Sequence, residues 1–195
     1  DLTKVDLDGV ALQGAVYRKG DKLPEEIERM LEAHSRWIAT AGSEGKRAVL
    51  SSMKLDGCNF ASCDLRGAEL HEASLQGADF SSAQMMFANF TGADLRKATF
   101  DMADLSGTNF LRANLAESRW RSAKVVGVEI YNARNQKTGK VVYPRFEEAD
   151  LTKADLRGAV FEGIDFASVV MTGVNLQGAD LRQCLGLHKA GKSGG

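Results

Sequence analysis

A large apolar residue returns at every fifth position over most of this chain, and that interval excludes the ordinary regular elements. From Leu50 the series runs through Leu55, Phe60, Leu65, Leu70, Leu75, Phe80, Met85, Phe90, Leu95, Phe100, Leu105, Phe110, Leu115, Trp120, Val125 and Ile130. Two residues before each of these centres the side chain is small, most often Ala, except at Met53 and Val128. The residue between is commonly acidic or amide, as at Asp64, Asp94 and Asn109. Of the chain's nine Phe residues, only Phe87 falls off a centre. The interval returns one residue out of register at Phe146, Leu151, Leu156, Phe161, Phe166, Met171, Leu176 and Leu181, and a short block at Leu2, Leu7 and Leu12 opens the sequence. A period of five fits neither 3.6 nor 2. On an α-helix the centres would spread over every face, and on a flat strand they would alternate between two. The chain must therefore turn once per repeat, with the large residue and the small residue before it pointing inward. Such a chain is a coil whose layers bury their apolar centres against one another.

Whole stretches share one pattern: Cys63-Asp64-Leu65-Arg66-Gly67, Ala93-Asp94-Leu95-Arg96-Lys97 and Ala154-Asp155-Leu156-Arg157-Gly158. This pattern, A-[D/N]-[L/F]-x-x, resembles the pentapeptide-repeat family over about 140 residues. The resemblance implies an all-β solenoid, a right-handed quadrilateral parallel β-helix with four repeats per coil. About seven coils at about 4.8 Å each would make a rod roughly 34 Å long. Residues 20 apart then lie above one another. Phe60, Phe80, Phe100 and Trp120 form one aromatic column, and Leu70, Phe90, Phe110 and Ile130 the next. Leu55, Leu75, Leu95 and Leu115 form a third column, and Leu65, Met85, Leu105 and Val125 the fourth. Like stacks on like, as a buried core should.

Two segments interrupt the repeat. Residues 13–47 lack it, but Ile27, Met30, Leu31, His34, Trp37 and Ile38 recur at helical spacing. Pro24 suits a first turn, the acids at Glu25, Glu26 and Glu28 suit the positive end of the helix dipole, and Gly42 suits a stop. A helix over about residues 24–40 is predicted. It is read as a cap on the open end of the solenoid, with Trp37 as the anchor if it instead docks a partner. Residues 131–145 form the second break. The turn chemistry of Asn135-Gln136-Lys137-Thr138-Gly139 predicts a protruding hairpin or loop. Arg134, Lys137, Lys140 and Arg145 bring four cations and no acid, and Arg119, Arg121 and Lys124 precede them. The organisation read is therefore first repeats over 1–12, a helical insertion over 13–47, the main solenoid over 48–130, the hairpin over 131–145, C-terminal repeats over 146–185, and a flexible tail over 186–195.

Reactive constellations are sparse. Gly186 to Ser193 matches the phosphate-loop pattern, but Gly194 and Gly195 do not supply the helix that the motif needs. Cys58 and Cys63 take inward small sites, and three cysteines do not make a disulfide framework. His34, His71 and His188 are scattered, so no metal cluster is expected. Asn89-Phe90-Thr91 is a glycosylation sequon centred on a core residue. The acids alternate with Arg66, Arg96, Lys97, Arg112, Lys153, Arg157 and Arg182, as on a solvated, mutually compensated surface.

A formal net charge of -1 argues against binding nucleic acid by bulk charge. No apolar run approaches a membrane span, and no basic-then-apolar leader opens the sequence, so a cytoplasmic location without a membrane partner is expected. The sequence begins at Asp1 inside a motif, as a processed or excised boundary would, and a secreted effector or a fragment of a longer chain stays open. The leading reading is a non-enzymatic, rigid interaction scaffold for a protein partner. It has no cofactor and no catalytic or metal site, and a terminal coil is available for pairing two copies. Candidate contact residues are Trp37 and the cations Arg119, Arg121, Lys124, Arg134, Lys137, Lys140 and Arg145. The alternative comes from the resemblance: some pentapeptide-repeat proteins imitate DNA with acidic walls and act on DNA gyrase or another type II topoisomerase.

Overall fold

A computed structural model describes residues 23–187. The expected first repeats at Leu2, Leu7 and Leu12, and most of the phosphate-loop match and tail, lie outside these residues. Single parallel bridges join each residue before a centre to the one 20 positions later: Val49 to Glu69, Lys54 to Ser74, Asn59 to Asp79 and Asp64 to Gln84. Four such ladders run along the molecule, one per repeat of the coil. Between bridges the chain turns. Within one repeat, the Leu95 amide donates to the Asn114 carbonyl of the next coil at 2.7 Å, and the Asn114 amide returns to the Ala93 carbonyl at 2.9 Å. The Lys97 amide reaches the Ala116 carbonyl at 3.0 Å, and the Ala98 amide closes the turn on the Leu95 carbonyl at 3.0 Å. Nearly every backbone group of the repeat is thus used between layers or inside the turn.

The Asp or Asn before each centre does more than face water. Its side chain accepts the amide hydrogen two residues on, as Asn59 does from Ala61, Asn114 from Ala116, and Asp150 from Thr152. This local bond shapes the turn, which is why short carbonyl-bearing side chains recur there. The second residue after the centre has positive φ, taken by glycine at Gly77 and Gly92 but also by Lys97 and Met102. The interlayer bond from that residue's amide offsets the left-handed conformation.

All the centres from Leu50 to Val125 are buried, among them Leu95, Leu105, Leu115, Phe90 and Phe110 at 0% exposure, with the inward alanines beside them. Polar residues at inward small sites are satisfied: the Thr108 hydroxyl donates to the Met85 carbonyl at 2.9 Å. The Ser118 hydroxyl donates to the Leu115 carbonyl and accepts from the Trp120 indole, both at 2.6 Å. Cys58 is buried, and burial pushes its thiol up to about 12. Cys63 is only partly buried, less enclosed than its inward position predicts. Phe80 stacks on Phe60 and Phe100 at centroid distances of 5.1 and 5.3 Å, and Phe100 meets Trp120 at 4.4 Å.

The second aromatic column departs from the expected one. Phe90 and Phe110 stack at 5.3 Å, but the next layer is Phe146, at 5.0 Å from Phe110, and not Ile130. Asn109 bridges Arg145, Asn114 bridges Asp150, and Val125 pairs with Phe161, each 36 residues on. The excursion therefore adds 16 residues to one coil. Sixteen is three repeats and one residue, which accounts for the one-residue change of register. Ile130 and Val128 belong to an antiparallel hairpin of β2 (Val128–Tyr131) and β3 (Lys137–Val142). The main solenoid therefore leaves its ladder after β1 (Lys124–Val125), which pairs in parallel with β4 (Val160–Glu162) and through it with β5 (Asp180–Arg182). Toward the C-terminal end burial fades, and Leu176 and Leu181 are only partly enclosed.

Helix α1 spans Glu25–Ala39, with Pro24 just before it. It is amphipathic: Ile27 and His34 are buried, and Leu23, Met30 and Leu31 pack against the core cluster of the coils. Gly42, at φ 91, turns the chain back under Trp37.

The Asx turn yields a direct test. Asn114→Ala should cost about 1 kcal/mol, one net hydrogen bond, while Asn114→Asp keeps the acceptor and should be near neutral in urea unfolding. Equal losses in the two variants would remove the turn-shaping role.

Candidate interaction surface

The hairpin is rooted rather than loose. Its turn is held by the Asn132 side chain, which accepts the amides of Arg134 at 2.9 Å and Gln136 at 3.0 Å. At its base the Tyr143 ring lies against both Gly127 and Gly163, and Val141 also covers Gly127. A Cβ on Gly107 would meet the Phe87 ring at 2.8 Å and Val128 at 3.5 Å. Glycines at corresponding places in successive coils thus make room for aromatic rings. Beyond its base the hairpin is open: all six residues of β3 are exposed, and Tyr131, Val141 and Val142 present apolar surface.

The basic residues singled out in the sequence are mostly compensated. Arg119 pairs with Asp101 at 2.8 Å, Arg121 with Asp155 at 2.9 Å, and Lys124 with Asp104 at 3.1 Å. Lys137 pairs with Glu129 across the hairpin at 2.6 Å, and Arg145 with Glu147 at 3.2 Å. Only Arg134 and Lys140 of this set carry no ion pair among the described residues. The local excess of cations exists only along the chain, since the compensating acids sit one coil away, on the facing strand or, for Arg145, two residues further on. Asp155 is the most strongly held: the Arg157 and Arg121 side chains keep its carboxyl well below the usual range, against the opposing effect of burial. Asp64 with Arg66 and Asp94 with Arg96 repeat the two-pronged contact within one turn.

Trp37 stands apart from these cations. It stacks on His34 at 5.6 Å and lines a groove of about 490 Å³ with Ile38, Ala41, Met86 and Phe87, with Arg47 and Arg66 at the rim. Phe87, the one Phe off the repeat, lines this groove at a place for which the fivefold period does not account. The signal was its position, where the neighbouring coils carry Gly67 and Gly107.

One hydroxyl–imidazole–carboxylate grouping comes together. The Ser51 hydroxyl lies 2.8 Å from His71 Nδ1, and Glu69 lies 3.7 Å from the same nitrogen. A relay needs the nucleophile and the orienting acid on opposite ring nitrogens, so this grouping is not arranged for one. Among the described residues no cluster of His, Cys, Asp and Glu is placed to hold a metal, and no helix is long and apolar enough to cross a membrane.

Gly163→Ala should push the Tyr143 ring off its seat. Trypsin cleavage at Arg134, Lys137 and Lys140 should then accelerate while the coils stay resistant. Unchanged cleavage would show that the ring does not anchor the hairpin.

The family described as Pentapeptide repeats matches residues 46–81, 83–119 and 145–185, in 8 copies. No curated protein matches the chain. Among solved structures, a pentapeptide repeat protein (Rfr23) from the cyanobacterium Cyanothece 51142 is 22% identical, with 71% of this chain and 83% of that one covered and a TM-score of 0.42. A trypsin-treated form of QnrB1, a plasmid-mediated fluoroquinolone resistance protein, is 19% identical over 71% of this chain and 76% of its own, at a TM-score of 0.44. A pentapeptide repeat protein from the Arabidopsis thaliana thylakoid lumen is 24% identical over 67% of this chain and 66% of its own, at 0.33. With more than half of its length matched by the repeat, the helix lying before the first matched stretch and the hairpin between the second and the third, this chain belongs to the pentapeptide-repeat family.

Proposed function

We propose that this protein is a non-enzymatic, rigid interaction module. A right-handed, four-sided coil holds α1 as a cap over its first layer and presents the hairpin to a protein partner. The observation that carries the reading is the contrast between a coil interior filled by side chains and a hairpin fixed at its base yet exposed along the whole of β3. Loops on stiff scaffolds recognise partners well, because little order is lost on binding. Arg134 and Lys140, the cations of the hairpin that have no ion pair among the described residues, favour carboxylates on that partner. The partly open last coil, with Leu176 and Leu181, is the surface on which two copies would pair. The reading involves no cofactor, no membrane and no direct contact with nucleic acid, and it suits a cytoplasmic protein.

Imitation of DNA for a type II topoisomerase, the alternative, needs an unbroken acidic wall. The side that carries Asp101 and Asp155 also carries Arg119, Arg121 and Arg157, each paired with one of those acids. This charge balance favours the scaffold reading.

The charge-reversed variant Arg134→Glu with Lys140→Glu should keep the melting temperature of the parent and lose partner capture by at least about tenfold in affinity-purification yield. Capture by the variant at parental yield would remove the hairpin as the contact. Inhibition of gyrase supercoiling by the purified chain would replace this reading with the alternative.

A further inference from the structure

We propose that His34 is a proton-operated latch: neutral, it holds the C-terminal half of α1 on the first coil, and protonated, it releases that half and opens the groove beside Trp37. The inference goes beyond the scaffold reading and does not depend on it.

The geometry fixes the imidazole's role. The Ala48 amide donates to His34 Nδ1 at 3.1 Å, so this nitrogen is the unprotonated acceptor and the proton resides on Nε2. The side chain is fully buried, and among the described residues Nε2 has no hydrogen-bond partner. Beside it the Lys46 amide donates to the Ala33 carbonyl at 3.1 Å, a backbone bond between the helix and the entry to the coil. The latch is therefore a pair of adjacent contacts, one of which fails on protonation. A proton on Nδ1 would face the Ala48 N–H donor directly, leaving two buried donors opposed.

The acid nearest the ring is already engaged and is not free to pair with the new charge. Asp64, the acid facing the ring from the coil, is already held by Arg66 Nε at 2.9 Å and Nη2 at 2.7 Å. Arg47 and Arg66, the cations on the same side, oppose protonation, and Arg47 is itself bound to Glu69 and to the Gly67 carbonyl. From the helix side the ring meets Trp37, an uncharged stacking partner. Burial, the largest influence, with Arg47 and Arg66, outweighs Asp64 and the Arg66 backbone, and sets the imidazole below its ordinary value of 6.5.

The sign follows. The docked helix binds the proton more weakly than the released helix, so docking is complete above about pH 6.5 and weakens as pH falls from there toward the docked value. Within that window the released population rises by up to about tenfold per pH unit. Because Trp37 rides on the ring and lines the groove with Met86 and Phe87, release exposes that apolar floor together with the edge of the first coil.

Hydrogen exchange by mass spectrometry on the full chain at pH 7.5 and 5.5, normalised for intrinsic rates, reads this directly. Residues 25–47 should lose protection at the lower pH, by up to about tenfold, while residues 70–120 keep theirs. His34→Gln, which retains an acceptor for Ala48 but does not titrate, should abolish the pH dependence, whereas His71→Gln should retain it. PH-independent protection of residues 25–47 in the parent, or undiminished pH dependence in His34→Gln, would overturn the proposal. Should His34→Gln leave the helix unprotected at both pH values, the parent's imidazole resonance decides. Titration in step with loss of protection supports the latch, and titration without loss overturns it.

Discussion

The structure depends on the stacking of one coil on the next at the spacing of a parallel β ladder. Each layer offers amides and carbonyls to its neighbour, and each buries a ring of large apolar side chains that only the neighbouring layer can cover. Neither contribution exists in a single coil. The small residue before each centre matters for the same reason, because a larger side chain there would hold the chain away from the interior that the centre fills. Stability is thus a property of neighbours, and it runs out where neighbours do. Met171 is buried, while Leu176 and Leu181, one and two repeats further on, are partly open.

That dependence explains how the chain tolerates an insertion in mid-coil. The hairpin leaves after Val125 and returns before Phe146, so the ladders close across the gap and the aromatic column passes from Phe110 to Phe146 without a break. Nothing in the layers needs the excursion, which leaves its exposed strand open to other uses. The base is a different matter. Tyr143 on Gly127 and Gly163, and Val128 beside Phe87 over Gly107, join it firmly to the coil. Helix α1 is joined on the same principle at the other end, through His34 and the Trp37 groove. Both non-repeating elements meet the coil where its turns carry glycine or Phe87, so one side of a nearly uniform solenoid is made distinct.

How much of this could be read from residues alone follows from range. The inward centres, the small partners and the twenty-residue stack are local in period, and Leu95, Phe100 and Trp120 sit where their spacing puts them. Ile130 was misplaced because it keeps the interval by chance after the ladder has left, and periodicity carries no information about where a chain departs. The basic character of residues 131–145 and of the cations just before them dissolves for a related reason: Asp101, Asp104, Glu129, Glu147 and Asp155 lie beside those cations in space but outside that stretch in sequence. The Asx bond was legible in principle, since Asp and Asn share a carbonyl oxygen at the right reach and Glu and Gln do not. His34 was not, because its significance rests on a single amide fourteen residues away.

Continuity of the layers through the insertion is the claim on which the architecture and the exposed hairpin both stand. A double-mutant cycle on Phe110 and Phe146, each truncated to Leu, measures it most directly. Stacked rings should give a coupling of about 0.5–1.5 kcal/mol, with no coupling in the matching cycle of Phe110 and Ile130. Coupling to Ile130 and none to Phe146 would contradict the account.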